Sequence, residues 1–219
     1  MQRIAEPELM EGVEQAKVYA EADFSPANKQ FLDLFHTTFP DFSGRATVLD
    51  LGCGPGHILF DFARIFPGCT CLGLDGSEEM LNHAYLACGS TTSSSIAFQC
   101  KQLPFPDDIG TWQVILSNSL LHHLNNPADL WQSVKKLAEP GTLIFVMDLF
   151  RPGSPEDAKA IVEKYSSDEP EILQQDFYNS LLAAYRPGEV ALQLAEQDLN
   201  LQCREVSDRH LAIWGQLTE

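Results

Sequence analysis

The chain has 219 residues, enough to bury one α/β core, and its net charge at pH 7 is −17. A surface this acidic repels polyanions and anionic lipids, so we expect neither a nucleic-acid partner nor a membrane partner. No apolar run is long enough to cross a bilayer and the N-terminus lacks a signal-peptide pattern, which together predict a cytoplasmic protein.

Two segments carry helical patterning without a strand of their own. Residues 8–40 have apolar side chains at helical spacing, such as Phe31, Leu34 and Phe35. Residues 155–185 are also helical, with a break at Pro170. Because ligands bind at the carboxyl ends of the strands in open α/β sheets, we expect both segments to form a cap over that edge.

The remaining segments alternate between short apolar strands and helices. This alternation implies a parallel sheet with helices on both faces. The last two strands join through the tight turn at 207–209 and form a hairpin, so at least one strand must run antiparallel. The sequence thus predicts a doubly wound, mostly parallel, seven-stranded α/β sheet with a C-terminal antiparallel hairpin and a helical cap.

The predicted strands are 47–51, 70–74, 96–99, 114–117, 142–148, 201–206 and 210–214. The helices beside them are 58–65, 77–86, 126–137 and 189–197. We expect a single domain, 1–219, comprising a cap (1–44), a cofactor-binding core (45–150), a cap insertion (151–186), and a helix with the hairpin (187–219).

A glycine-rich turn follows the first predicted strand, in the run Asp50-Leu51-Gly52-Cys53-Gly54-Pro55-Gly56. The glycines allow a tight turn and close approach of a ligand, and the next helix would point its N-terminus at an anionic group. The dinucleotide pattern G-x-G-x-x-G would need a glycine at the position of His57, which disfavours an NAD-dependent dehydrogenase. Asp75 ends the second strand, where a carboxylate can bind ribose hydroxyls or cap the next helix.

These motifs resemble those of class I S-adenosylmethionine-dependent methyltransferases. The resemblance rests on 48–56 (VLDLGCGPG), 73–81 (GLDGSEEML), 103–107 (LPFPD), 117–124 (SNSLLHHL) and 139–142 (EPGT). It implies S-adenosylmethionine as the cofactor. In that family the first motif cradles the methionine end, the acid after the second strand holds the ribose, and residues near the end of the third strand contact adenine. Residues after the fourth strand line the methyl-transfer site. The cofactor-binding residues that this implies here are Asp50, Gly52, Gly54, Gly56, Asp75, Gln99, Ser117 and Asn118.

One position departs from the family pattern. Many relatives carry an acid where this chain has Gln99, facing the adenine amino group. The glutamine carbonyl can still accept that hydrogen bond.

Three residues near the strand ends are the predicted catalytic candidates. His122 and His123 follow the fourth strand, and a neutral imidazole there could deprotonate an acceptor or simply pack the turn. Asp148 ends the fifth strand at the same rim, where it could orient an acceptor or remain a surface carboxylate.

Four cap residues are the predicted substrate contacts: Tyr19, Phe24, Tyr178 and Asn179. Packing of an amphipathic helix is the alternative role for the aromatic ones.

The sequence lacks the motifs of serine hydrolases and of common zinc sites. No G-x-S-x-G elbow is present, which argues against a serine hydrolase. The six cysteines form no C-x-x-C pair and no spaced histidine pair of a helical zinc site occurs, so we expect reduced thiols and no metal. The favoured function is methyl transfer to an O, N or C atom of a small molecule. The alternative is a noncatalytic cofactor-binding or partner-stabilising protein, since a fold does not establish activity.

Overall fold

The computed structural model describes residues 1–6, 12–89, 95–105 and 109–218. Within these residues, seven strands form one sheet in the order β3-β2-β1-β4-β5-β7-β6. The strands are β1 (Thr47–Leu51), β2 (Thr70–Asp75), β3 (Ile96–Cys100), β4 (Trp112–Asn118), β5 (Ala138–Leu149), β6 (Gln202–Glu205) and β7 (His210–Gln216). The helices are α1 (Val13–Glu21), α2 (Ser25–Thr38), α3 (His57–Ile65), α4 (Glu78–Gly89), α5 (Ala128–Leu137), α6 (Pro155–Ser166), α7 (Glu171–Ala183) and α8 (Pro187–Glu196), with a one-turn 3-10 helix at Leu121–His123.

The direction of the strands confirms the predicted fold class. The sheet is parallel from β3 through β5, and β7 runs antiparallel to both of its neighbours, β5 and β6. Strand order reverses at β1, which pairs with β2 on one side and β4 on the other. A crevice opens at the carboxyl ends of strands where the order reverses, and this is the usual ligand site of such sheets.

The two faces of the sheet bury separate apolar clusters, which explains the continuous apolar runs of the central strands. On one face, Leu49 and Ile115 pack with Trp131 of α5. On the other face, Val48 and Val114 join a cluster supplied by α2 and α3. Among the described residues, no helix is both long and apolar enough to cross a membrane.

Helix α2 corrects part of the predicted cap. Phe31, Leu32 and Phe35 are buried in the core against α3 and the sheet, and the Phe35 ring centroid lies 5.1 Å from that of Phe62. Of the described residues in 12–40, those that line the cavity lie in or beside α1 and in the N-terminal turn of α2. The helical pattern showed that α2 has a buried face, but periodicity does not say which surface covers that face. Residues 8–11 of the predicted segment lie outside the described residues.

Strand β5 is longer than predicted. It begins at Ala138 and continues through Pro140 and Gly141, which the sequence pattern predicts as a break before a strand at 142. Ala138 pairs with Trp112, and the register then shifts before the next pairs. A local irregularity of this kind accommodates a proline within a strand. Residues 90–94 and 106–108 lie outside the described residues, and with them the last two positions of the 103–107 motif.

Candidate functional site

A cavity of about 720 Å³ lies at the carboxyl ends of β1, β2 and β4. Its floor is the glycine turn after β1 and the residues that end β2 and β4, and its walls include residues of α1, α6, α7 and the first turn of α2. This volume falls within the roughly 300–1,000 Å³ typical of small-molecule sites. The strand ends and the cap therefore enclose one shared pocket.

The glycine turn is built from three residues with left-handed backbone angles. Gly52, Gly54 and Gly56 have φ values of +72°, +52° and +82°, which favour glycine. A Cβ on Gly52 would lie 2.8 Å from Leu120, and one on Gly56 would lie 2.8 Å from Phe98. A Cβ on Gly54 would meet nothing within 4 Å. Gly52 and Gly54 line the cavity, whereas Gly56 does not; Gly56 lies where α3 packs closely against Phe98 of β3, and its predicted ligand role stays a prediction.

Asp75 lines the cavity and also fastens the turn. Its Oδ2 accepts a hydrogen bond from the Gly54 amide at 2.8 Å, and its Oδ1 accepts one from the Ser77 amide at 2.8 Å. Burial raises the pKa of Asp75, and these backbone donors oppose the rise. Ser77 caps α4, since its Oγ accepts from the Met80 amide at 3.2 Å. One carboxylate therefore links the ends of β1 and β2.

Two buried oxygens at the cavity have no hydrogen-bond partner among the described residues. They are Oδ1 of Asp50, a residue that is 2 % exposed, and Oδ1 of Asn118. Burial and the nearby Asp75 raise the pKa of Asp50 to about 7. Buried acceptors are nearly always paired in native proteins, so a ligand carrying donors or positive charge suits this end of the cavity. S-adenosylmethionine has an ammonium group, a sulfonium centre and ribose hydroxyls, and it fits these residues.

Two predicted cofactor contacts lie elsewhere. Ser117 is fully buried, donates to the Leu51 carbonyl at 2.8 Å, and does not line the cavity. Gln99 is exposed and also lies outside the lining, while 101–103 line it instead. Side chains alternate along a strand, so a shift of one or two residues decides which side chain faces the cavity.

The predicted catalytic residues lie together at the other end of the site. His122 and His123 line the cavity, and Nδ1 of His122 lies 2.5 Å from Oδ1 of Asp148. Asp148 is 1 % exposed and does not border the cavity; it lies behind His122, so its predicted part in catalysis stays a prediction that would act through His122. Burial lowers the pKa of His122, but Asp148 and Glu6 outweigh that effect and leave the pKa raised.

Glu6 is a site residue that the sequence did not reveal. Its Oε1 lies 3.5 Å from Nε2 of His122 and 3.2 Å from Nδ1 of His123. Burial raises the pKa of Glu6, while His122 opposes the rise. The Ser180 hydroxyl donates to Glu6 at 3.1 Å. No local motif surrounds Glu6 in the sequence, so only the folded chain brings it to the histidines.

The N-terminal segment is held in place by backbone contacts. Arg3 donates to the carbonyls of His122 and Leu124 at 2.9 and 3.0 Å. The Ile4 amide donates to the Leu182 carbonyl at 3.1 Å. Residues 1–6 therefore lie between the cap helix α7 and the 3-10 turn.

The structure places three of the four predicted substrate contacts at the cavity. Tyr19, Phe24 and Asn179 line it, and the first two rings are 4.6 Å apart between centroids. Burial, with Asp75 and Asp148, raises the pKa of Tyr19 to about 12. Tyr178 packs instead against the apolar cluster around Leu181, which is the alternative role stated for it.

Two curated relatives each match less than half of the chain. A trans-aconitate 2-methyltransferase of Mycobacterium tuberculosis is 37% identical over 102 residues, covering 45% of this chain and 35% of that protein. A ubiquinone biosynthesis O-methyltransferase of Colwellia psychrerythraea is 32% identical over 106 residues, covering 47% of this chain and 41% of that protein. The chain thus spans less than half the length of each of these two curated relatives.

Structural similarity and a family model both relate this chain to methyltransferases. The plantazolicin methyltransferase BpumL, solved with SAH, superimposes with a TM-score of 0.72 at 15% identity, covering 94% of this chain and 90% of that one. At this identity the likeness concerns the fold alone. The family model described as a methyltransferase domain matches residues 21–203, which include the glycine turn, Asp75, both histidines and most of the cap. This chain belongs to the methyltransferase domain family.

Proposed function

We propose that this protein transfers a methyl group from S-adenosylmethionine to a small molecule bound beneath the cap. One observation carries the proposal: the glycine turn with Asp75 and the pair His122 and His123 line the same cavity. The matched O-methyltransferases favour an oxygen atom as the acceptor.

The cofactor would be held at the β1 and β2 end of the cavity. Gly54 leaves room for a close approach, Asp75 offers its carboxylate edge, and the orphaned Asp50 oxygen suits a cationic group. The cofactor supplies an activated methyl group with its own leaving group. The protein's contribution is therefore to orient the two reactants and exclude water.

The acceptor would lie between the histidines and the cap. His123 is accessible from the cavity, with 23% of its side chain exposed, and is the residue we assign to acceptor contact. His122, whose ring centroid lies 4.2 Å from that of His123, is held in place by Asp148. Tyr19, Phe24 and Asn179 would surround the rest of the acceptor. An enclosed pocket of this size favours a metabolite over a nucleic acid, and a cytoplasmic location accords with such a substrate.

Methyl transfer is tested with the purified protein and S-adenosylmethionine labelled in its methyl group. We expect label to move to a component of a small-metabolite extract, and trans-aconitate is a defined first acceptor to try. Transfer to tRNA above the metabolite rate would contradict a small-molecule substrate. Tight cofactor binding by calorimetry without transfer to any fraction would support the noncatalytic alternative.

We expect Asp75→Ala to weaken cofactor binding by about 1–3 kcal/mol, since a hydrogen bond to a charged group is lost and the turn loses its fastening to β2. Isothermal titration calorimetry measures the change. Asp33→Ala, which removes an exposed carboxylate of α2, is the matched control and should leave the affinity unchanged. An unaltered affinity in Asp75→Ala would remove Asp75 from the cofactor site.

A further inference from the structure

Glu6, His122 and His123 form a compact set of three donors at the cavity wall. Oε1 of Glu6 lies 3.5 Å from Nε2 of His122 and 3.2 Å from Nδ1 of His123. All three ligand atoms lie within 4.8 Å of one another. Ligands about 2.0–2.2 Å from one zinc ion are roughly 3.0–3.5 Å apart in tetrahedral or octahedral geometry, so both Glu6 contacts already match a shared ion.

The surroundings of His122 provide an independent reason to expect a metal. Its Nδ1 faces Oδ1 of Asp148 at 2.5 Å, which directs Nε2 toward Glu6. Histidines that bind metals almost always donate the other ring N–H to a carboxylate or carbonyl, and this contact fixes the tautomer and the ring orientation. Packing of the turn alone does not require carboxylates at both ring nitrogens, yet Nδ1 of His122 faces Asp148 and Nε2 faces Glu6.

We propose that Glu6, His122 and His123 bind one divalent transition-metal ion of the zinc class. Two imidazoles with one carboxylate suit zinc, iron, cobalt or nickel better than magnesium or calcium, which prefer oxygen ligands. Three protein ligands leave at least one coordination position for water or another oxygen donor. All three side chains border the cavity, so that position would face the cavity.

The site also suggests which acceptors the enzyme selects, and this step rests on the proposed function. An oxygen of the acceptor, in a hydroxyl or a carboxylate, would occupy the open position and be oriented beside the cofactor. The sequence prediction of no metal considered cysteine pairs and histidines spaced along a helix. It missed this set because two ligands are adjacent in a 3-10 turn and the third comes from the N-terminal segment.

Metal binding is tested without cofactor or acceptor, so its outcome is separate from that of the proposed function. Protein stripped with EDTA and dialysed is titrated with Co²⁺, followed by visible absorption, and with Zn²⁺, followed by calorimetry. We expect one ion per chain and cobalt d–d bands typical of a low-coordinate site. Metal content after dialysis, by elemental mass spectrometry, gives the stoichiometry independently.

Variants identify the ligands. Glu6→Gln and His123→Asn should each weaken Zn²⁺ binding about 10-fold or more. Replacing a residue that only hydrogen-bonds to a metal ligand already lowers metal affinity about 10–100-fold, and these two residues would be ligands themselves. His36→Ala, which removes an exposed histidine of α2, should bind as the wild type does. Circular dichroism in EDTA shows whether each variant is folded, and the His123 side chain is 23% exposed, so its variant should retain the fold. Absence of stoichiometric binding, or equal affinity in both ligand variants and the wild type, would overturn the proposal.

Discussion

Gly54→Val is expected to abolish S-adenosylmethionine binding while the protein remains folded. The Cβ position of Gly54 is open space bordering the cavity, so a branched side chain would occupy the volume that a ligand needs. The φ value of +52° adds backbone strain of about 1–3 kcal/mol for any other residue. We expect the affinity to fall by about 100-fold or more, equivalent to about 2.8 kcal/mol of binding free energy.

The control must carry the same backbone strain without touching the cavity. Gly110 has a φ of +77°, and its Cβ would also meet nothing within 4 Å, but it does not line the cavity. Gly110→Val should therefore lose stability and keep cofactor affinity. Calorimetric titration and thermal unfolding of both variants separate the two effects. Native affinity in a folded Gly54→Val protein would show that the turn does not cradle the cofactor.

Asp148→Ala is expected to destabilise the protein by about 3–5 kcal/mol, because removing one member of a buried ion pair leaves its partner unpaired. Asp148 accepts from Nδ1 of His122 at 2.5 Å and from the Leu149 amide at 2.6 Å, and both side chains of the pair are at most 3% exposed. Asp148→Asn keeps an acceptor oxygen and should cost less, about 1–2 kcal/mol.

An exposed ion-paired carboxylate provides the comparison. Asp208, whose side chain is 42% exposed, pairs with Lys164 at 2.7 Å, and such surface pairs contribute about 0–1 kcal/mol. Urea unfolding of the variants at pH 7 in EDTA measures the differences. If Asp148→Ala were no less stable than Asp208→Ala, the contact with His122 would not stabilise the fold.

The sequence by itself predicts the order of strands and helices, the fold class and the glycine turn. These features depend on local signals: apolar runs in strands buried on both faces, glycines at left-handed positions, and proline or serine at helix ends. Strand β1 matches its predicted bounds, and the end of β2 places Asp75 beside Gly54 as the motifs imply. Parallel strands bring their carboxyl ends to one edge, so the sequence alone groups the residues that follow those strands.

The tertiary structure alone decided which of those residues face the cavity. Ser117 and Gln99 stand at motif positions, yet one is tied to the β1 backbone and the other points to solvent. The buried face of α2, a helix that the sequence assigns to the cap, is part of the core. These outcomes depend on side-chain direction and on packing between distant segments, which periodicity does not encode.

The position of Glu6 also depends on the tertiary structure alone. Its neighbours in the chain predict nothing about it, and its role arises from contacts with histidines that follow β4. Arg3 holds that segment through backbone carbonyls, which any sequence presents equally. Local chemistry therefore determined the scaffold and one end of the site. Long-range packing determined the other end, where the acceptor and the proposed metal would bind.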